Sequence, residues 1–402
     1  MKQWMLIFFF AGTLLVSEFS EAAVGLEPAL AVAKTNTLFG IDLVKTFLKK
    51  NASESFLVSP VSLQLVLGMA IAGARGDTMK AIEEVTHFKD LPPDNLYRGL
   101  SQIQAILRQG DPSIELSMAN SMWVKQGFLI RPEYLAHVKG YYDAEVRVAD
   151  FRSKATVTAM NQWVSQSTRG RIASLVEKID DQARLFLLNA FYFEGKWSIP
   201  FEPSQTRPRP FKGIAGVRTV HMMTRSGRFY YFKGANFQAV RLPFGNKRYS
   251  MWIFSPDKSA SLRSFYPLLT GKNWETWMTQ FQQRSGSLSL PKFTLNTTVP
   301  ASELLKQMGM GIAFSYLANF SAINGGTGEG ELKVSQVLQK THFSVSEQGA
   351  QAAAASAVAI SLTSVQDAEK PFNMVMDHPF FFAVGDNQTG ILLLMGAYCN
   401  PE

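Results

Sequence analysis

The chain has 402 residues, 46% of them hydrophobic and 18% charged, with a formal net charge of +8. A chain of this length buries a large core, as one big domain or two. The single cysteine, Cys399, excludes an internal disulfide, and the five histidines fall in no HExxH or related spacing, so no metal or cofactor is expected.

Residues 1–23 read as a separate unit. Lys2 precedes the apolar run WMLIFFFAGTLLV, and SEFSEAA ends in small residues. The apolar run is too short for a membrane span and has the layout of a secretory signal peptide, with cleavage expected near Ala22 or Ala23. Residues 24–402 would then be the mature chain, in the extracellular space, with no membrane partner. Asn51, Asn296, Asn319 and Asn387 head Asn-x-Ser/Thr sequons, which matter only where the source cell glycosylates exported proteins.

Helical patterns dominate before about residue 180 and strand patterns after it, an α+β arrangement rather than alternating βαβ units. In order come FLVSPVSLQLVLGMAIAGARGDTMKAI (Phe56 to Ile82), SMANSMWVKQGFLIRPEYL (Ser117 to Leu135), NQWVSQSTRGRIASLV (Asn161 to Val176) and LLNAFYFEGKWSIPF (Leu187 to Phe201). The densest basic clusters are Arg207 to Lys212, Thr224 to Lys233 and Gly245 to Tyr249. Such clusters can attract polyanions, but these look like ordinary hairpin and loop positions. No nucleic-acid partner is expected. No GxSxG, P-loop or GxGxxG follows a strand.

The most informative stretch is EQGAQAAAASAVAISLTSVQD, Glu347 to Asp367. Ala350, Ala352, Ala353, Ala354, Ala355 and Ser356 are small, and Gln351 is uncharged. Alanine favours helix. Yet a solvated helix would want a polar face, and a buried one larger apolar groups. A third reading is a strip that sits exposed as a loop and can also slide between strands without clash or buried charge. The flanks favour it. Val337 to Val345 reads as a strand ending at a hinge-type Gly349. MDHPFFFAV and GILLLMGAYCNP read as strands split by the turn GDNQTG.

With FSAI (Phe320 to Ile323) and Asp377-His378-Pro379-Phe380, these segments resemble, in order, those of the serpin family over nearly the whole chain. The resemblance implies one domain of three β-sheets and eight to nine helices, with an exposed reactive-centre loop at about 347–371. It implies no enzymatic activity but a suicide substrate for a serine protease, trapped as an acyl-enzyme when the cleaved loop inserts into the central sheet. Glu347, Gly349 and Ala350 to Ser356 would form the hinge. Ala350 and Gln351 stand where many inhibitors carry Thr and Glu. Ser59, Ser62, Asn189 and Gln339 would form a polar cluster under the sheet, with glutamine where many relatives carry histidine. Trp197 would mark the loop's entry.

The family register places the scissile bond between Thr363 and Ser364, or after Leu362 with a shift of one residue. Elastase-like, subtilisin-like or chymotrypsin-like proteases are then the expected partners, and a monomer is expected. The family's heparin-binding region here offers mainly Arg98 and Arg108, so polyanion activation is not expected. Asp377-His378 near a serine has the look of a triad, but the resemblance makes it a strand entry. The alternative function is that of a non-inhibitory serpin: a carrier, chaperone or storage protein.

Overall fold

The structure, a computed structural model, describes residues 10–51, 53–142, 144–258, 260–326, 332–349 and 370–401, with side chains from residue 25 onward. Ala350, Gln351, Ala352, Ala353, Ala354, Ala355, Ser356, Leu362, Thr363 and Ser364 therefore lie outside the described residues, as does the start of the expected signal peptide.

The first third alternates helices with short strands: α1 (Phe10–Asn51), β1 (Phe56–Val58), α2 (Pro60–Gly73), α3 (Gly76–Val85), α4 (Pro93–Arg108), β2 (Ile114–Lys125), α5 (Pro132–Tyr142), β3 (Glu145–Ala149) and α6 (Lys154–Ser167). Strands then dominate: β4 (Leu185–Gly195), β5 (Arg207–Gly213), β6 (Gly216–Lys233), β7 (Phe237–Pro243) and β8 (Tyr249–Pro256). After α7 (Leu262–Phe265) and α8 (Gly271–Gln280) come β9 (Gln282–Pro291), β10 (Phe293–Pro300), α9 (Ala301–Leu305), α10 (Ser321–Asn324) and β11 (Val334–Val345). The chain ends with β12 (Phe372–Val375), β13 (Phe380–Asp386) and β14 (Leu392–Tyr398).

Ten α-helices thus stand among the described residues where eight or nine were expected, because α7, α9 and α10 are single turns of four or five residues. The three expected sheets appear as two hydrogen-bonded ones. The reason is β6, 18 residues long, which pairs with β5 at its start and β7 at its end and so fuses two layers. The larger sheet runs β1-β14-β13-β8-β7-β6-β9-β12, with β5 added on β6.

The smaller sheet has the order β10-β11-β4-β2-β3. Its strand β4 explains why a continuous apolar run forms a strand. Leu185, Leu187, Phe191 and Phe193 face the main core, while Phe186, Leu188 and Ala190 face a second core built with Met160, Trp163 and Val164 of α6. The alternation buries both faces. Behind the main-core face, α2 is buried on every side and begins with Pro60, whose missing N–H costs nothing in the first turn.

Candidate functional site

The sheet's middle is a seam between β11 and β4. The two strands are parallel and directly paired, Gln339 opposite Asn189 and His342 opposite Tyr192. No strand lies between them. Since β4 and β11 are each flanked on their other sides by antiparallel partners, this seam is the one parallel junction inside the sheet; the other parallel pair, β2 with β3, is at its edge.

Contacts cross the seam at three levels. At the lowest, Gln339 is fully buried. Its Oε1 accepts from the Ser59 amide at 2.8 Å, and its Nε2 donates to the Ser59 carbonyl at 2.9 Å and to Asn189 Oδ1 at 2.8 Å. Asn189 Nδ2 passes the chain on to Asn120 Oδ1 at 2.7 Å. Glutamine's separate donor and acceptor let it serve both strands and the helix below. Of the expected cluster, Gln339, Asn189 and Ser59 meet, but Ser59 takes part through its backbone. The Ser59 and Ser62 hydroxyls are buried without a hydrogen-bond partner among the described residues. Asn120, absent from the expectation, completes it; its contact depends on strand register that no short motif signals.

Higher up, the rings of Tyr192 and His342 stack across the seam with centroids 5.3 Å apart. His342 Nδ1 lies 2.5 Å from Asn296 Oδ1. Arg171 covers the Tyr192 ring and pairs with Glu194 at 3.4 Å. Burial, and then the nearby Arg171 charge, hold the His342 pKa below its ordinary value.

At the top, the segment after β4 grips the end of β11. Trp197 donates its backbone N–H to the Gln348 carbonyl at 3.0 Å and its indole N–H to the Ser346 carbonyl at 2.9 Å. The indole also stacks on Phe244 at 4.3 Å. Phe201 N–H donates to the Glu347 carbonyl at 2.7 Å. The Glu347 carboxylate takes an ion pair from Lys292 at 2.8 Å and a hydrogen bond from Thr206 at 2.9 Å. Burial pushes the carboxyl's pKa up, but the Lys292, backbone and Thr206 bonds outweigh it and hold it below the ordinary value. Gly349 has φ of +97°, and a Cβ there would collide with the Gly195 carbonyl. Glycine alone fits that turn. In the sequence, the alanine-rich strip begins at Ala350, the residue after this anchored glycine.

One arrangement elsewhere has triad geometry. Ser255 Oγ lies 3.2 Å from His378 Nε2, and His378 Nδ1 lies 2.8 Å from Asp377 Oδ1. But Nε2 also lies 2.8 Å from the Pro256 carbonyl, which can only accept. The nitrogen therefore carries the proton that a general base would need to lack. Ser255 is itself only 3% exposed. The group fastens the entry of β13 to β8. Among the described residues, no three His, Cys, Asp or Glu side chains gather as a metal site, and no helix is long and apolar enough to cross a membrane.

The site is thus one parallel seam inside a five-stranded sheet, gripped at its top around Ser346 to Gly349. The family model described as Serpin (serine protease inhibitor) matches residues 34–401, and the chain belongs to that family. It is 33% identical over 368 residues to an uncharacterized serpin-like protein of Thermococcus kodakarensis, covering 90% of this chain and 84% of that one. It is 30% identical to the leukocyte elastase inhibitor of Xenopus tropicalis, covering 91% and 98%. The native-state structure of the thermophilic serpin tengpin superposes with a TM-score of 0.83 at 28% identity, covering 92% and 94%.

Proposed function

We propose that this protein is a secreted inhibitor that acts on a serine protease as a suicide substrate. The observation that carries the reading is the directly paired β4–β11 seam, with the segment of small uncharged residues starting where the hinge is anchored. The protease cuts the loop and forms an ester on its own serine. The freed segment then enters the seam as a new strand. It gains main-chain hydrogen bonds on both sides and meets no desolvation of charge on the way. The protease, still attached, is carried across the molecule before water completes deacylation.

The loop register puts the cut between Thr363 and Ser364, with Leu362 the alternative reading residue. A small uncharged side chain such as threonine, or a medium apolar one such as leucine, suits elastase-like, subtilisin-like or chymotrypsin-like pockets. The leukocyte elastase inhibitor among the relatives is in keeping with this choice. Export fits the start of the chain. Within α1, burial begins at Pro28, and Gln102 bridges the Gly25 carbonyl at 2.8 Å and the Ala29 amide at 3.2 Å. Cleavage near Ala22 or Ala23 would keep both of these contacts between α1 and α4.

The test is incubation with elastase, subtilisin and chymotrypsin, followed by denaturing electrophoresis. A covalent complex stable in SDS is expected with at least one of them. Loop cleavage by all three without any complex would instead mark a non-inhibitory serpin.

A further inference from the structure

A cavity of about 150 Å³ lies between the segment after β4 and strands β6 and β7. Its walls include Trp197, Phe201, Phe229 and Leu242. Its charged groups are all cationic: Arg225, Arg228, Arg241 and Lys247. No carboxylate stands among its described lining residues. The fold assembles it from the basic clusters Thr224 to Lys233 and Gly245 to Tyr249 and from Arg241 between them, which pairs with Tyr230 across β6 and β7.

Two of these cations lack an anionic partner among the described residues. The Arg225 guanidinium donates to the Ile199 carbonyl and lies 5.3 Å from the Phe201 ring centre and 4.5 Å from that of Phe229. Burial without a counter-charge lowers its pKa to about 10. Arg241 lies 4.1 Å over the Tyr230 ring, and its Nε is buried with no hydrogen-bond acceptor. Buried donors and crowded like charges are both relieved by an anion.

We propose that this cavity binds a small aromatic acid, an aryl carboxylate. Arg225 and Arg241 would take the carboxylate through charge-assisted hydrogen bonds, and the ring would lie among Trp197, Phe229 and Tyr230. The space is well below that of a drug-sized pocket and suits a single ring with its acid group. It is too small for a polyanion chain, which separates this site from polysaccharide activation.

Calorimetric titration of the intact protein with sodium benzoate at low salt tests the proposal without any protease, so its outcome is independent of the inhibitory reading. Saturable binding at one site is expected, weakened on the order of tenfold in Arg241→Gln and in Lys247→Gln. Lys212→Gln, in a basic cluster away from the cavity, should bind as the parent does. Neutral benzamide should give no saturable heat, and inorganic sulfate should bind more weakly than benzoate. Circular dichroism would check that each variant folds; should Arg241→Gln not fold, Lys247→Gln carries the comparison. Absence of saturable benzoate binding would overturn the site. Equal binding in both folded variants would overturn its location. Sulfate binding as tightly as benzoate, or benzamide binding at all, would overturn the ligand class.

Discussion

Replacing Gln339 by methionine keeps the side chain's length and volume but removes its amide oxygen and nitrogen from the seam. The Ser59 carbonyl keeps the Leu63 amide at 3.2 Å. The Ser59 N–H and Asn189 Oδ1 lose their partners and stay buried. At about 1–3 kcal/mol for each orphaned group, the intact protein should lose on the order of 4 kcal/mol. For a chain of this size that is a fall in thermal midpoint of roughly 5–10 °C. In the proposed loop-inserted form, a new strand already separates Asn189 from Gln339, so only the Ser59 share of the loss remains. Melting of intact and loop-cleaved protein, followed by circular dichroism, should show the larger fall in the intact form. A double-mutant cycle with Asn189→Ala sharpens the comparison, with a coupling of about 1 kcal/mol or more in the intact form and near zero in the cleaved one. Equal losses in both forms, or no coupling in the intact one, would refute the idea that this contact closes the seam.

Three further outcomes are expected. Ala352→Arg would bury an unpaired charge in the inserted strand and Ala354→Pro would remove a ladder hydrogen bond, so either should convert inhibitor to substrate, read as a steep rise in the stoichiometry of inhibition. Loop cleavage itself should raise the thermal midpoint by an amount on the order of tens of degrees, beyond the reach of an ordinary substitution, and a cleaved form melting no higher than the intact one would count against insertion. His342 prefers to be neutral in the fold, so below its ordinary value of 6.5 the unfolded chain binds more protons and stability falls with pH. His342→Phe keeps a ring against Tyr192 and should flatten that fall, seen in denaturation midpoints measured down to about pH 5.

The parts of this molecule legible in sequence are those whose physics is local. The Ser-Pro start of α2, the glycine at position 349 and the alternating strand β11 each follow from backbone preference or period. The uncharged strip after Glu347 is equally plain, because a missing charge is visible wherever the segment folds. Contacts made at long range were not legible. Ser59 and Gln339 are 280 residues apart, and nothing in either neighbourhood says that the bond is to the Ser59 backbone rather than its hydroxyl. The fusion of two sheets by β6 is hidden because one long strand and two short ones share the same alternation. The cationic cavity escaped for a similar reason. Arg225, Arg228 and Lys247 looked like hairpin and loop charges, and Arg241 stood in no cluster, until β6 and β7 paired and brought them to one space.

The three seam contacts differ in what opening them costs, and the order matters for mechanism. The Gln339 bonds are fully buried, so parting them strands polar groups away from water. In the middle, Tyr192 is fully buried and His342 partly so, and their separation exposes two rings but orphans little. At the top, Trp197 holds Ser346 and Gln348 by two bonds to the backbone, beside the exposed face of Lys292. In the proposed insertion, a strand entering from the Gly349 end meets the Trp197 bonds and the Glu347 ion pair first, then the ring stack, and the fully buried Gln339 network last. Each new pair of main-chain hydrogen bonds is in place before the next contact must yield. A strand entering from the bottom would break the most buried network first with nothing gained. On the proposed function, that order gives the sheet a direction of opening, from Gly349 downward, with the anchored Glu347 at its first step.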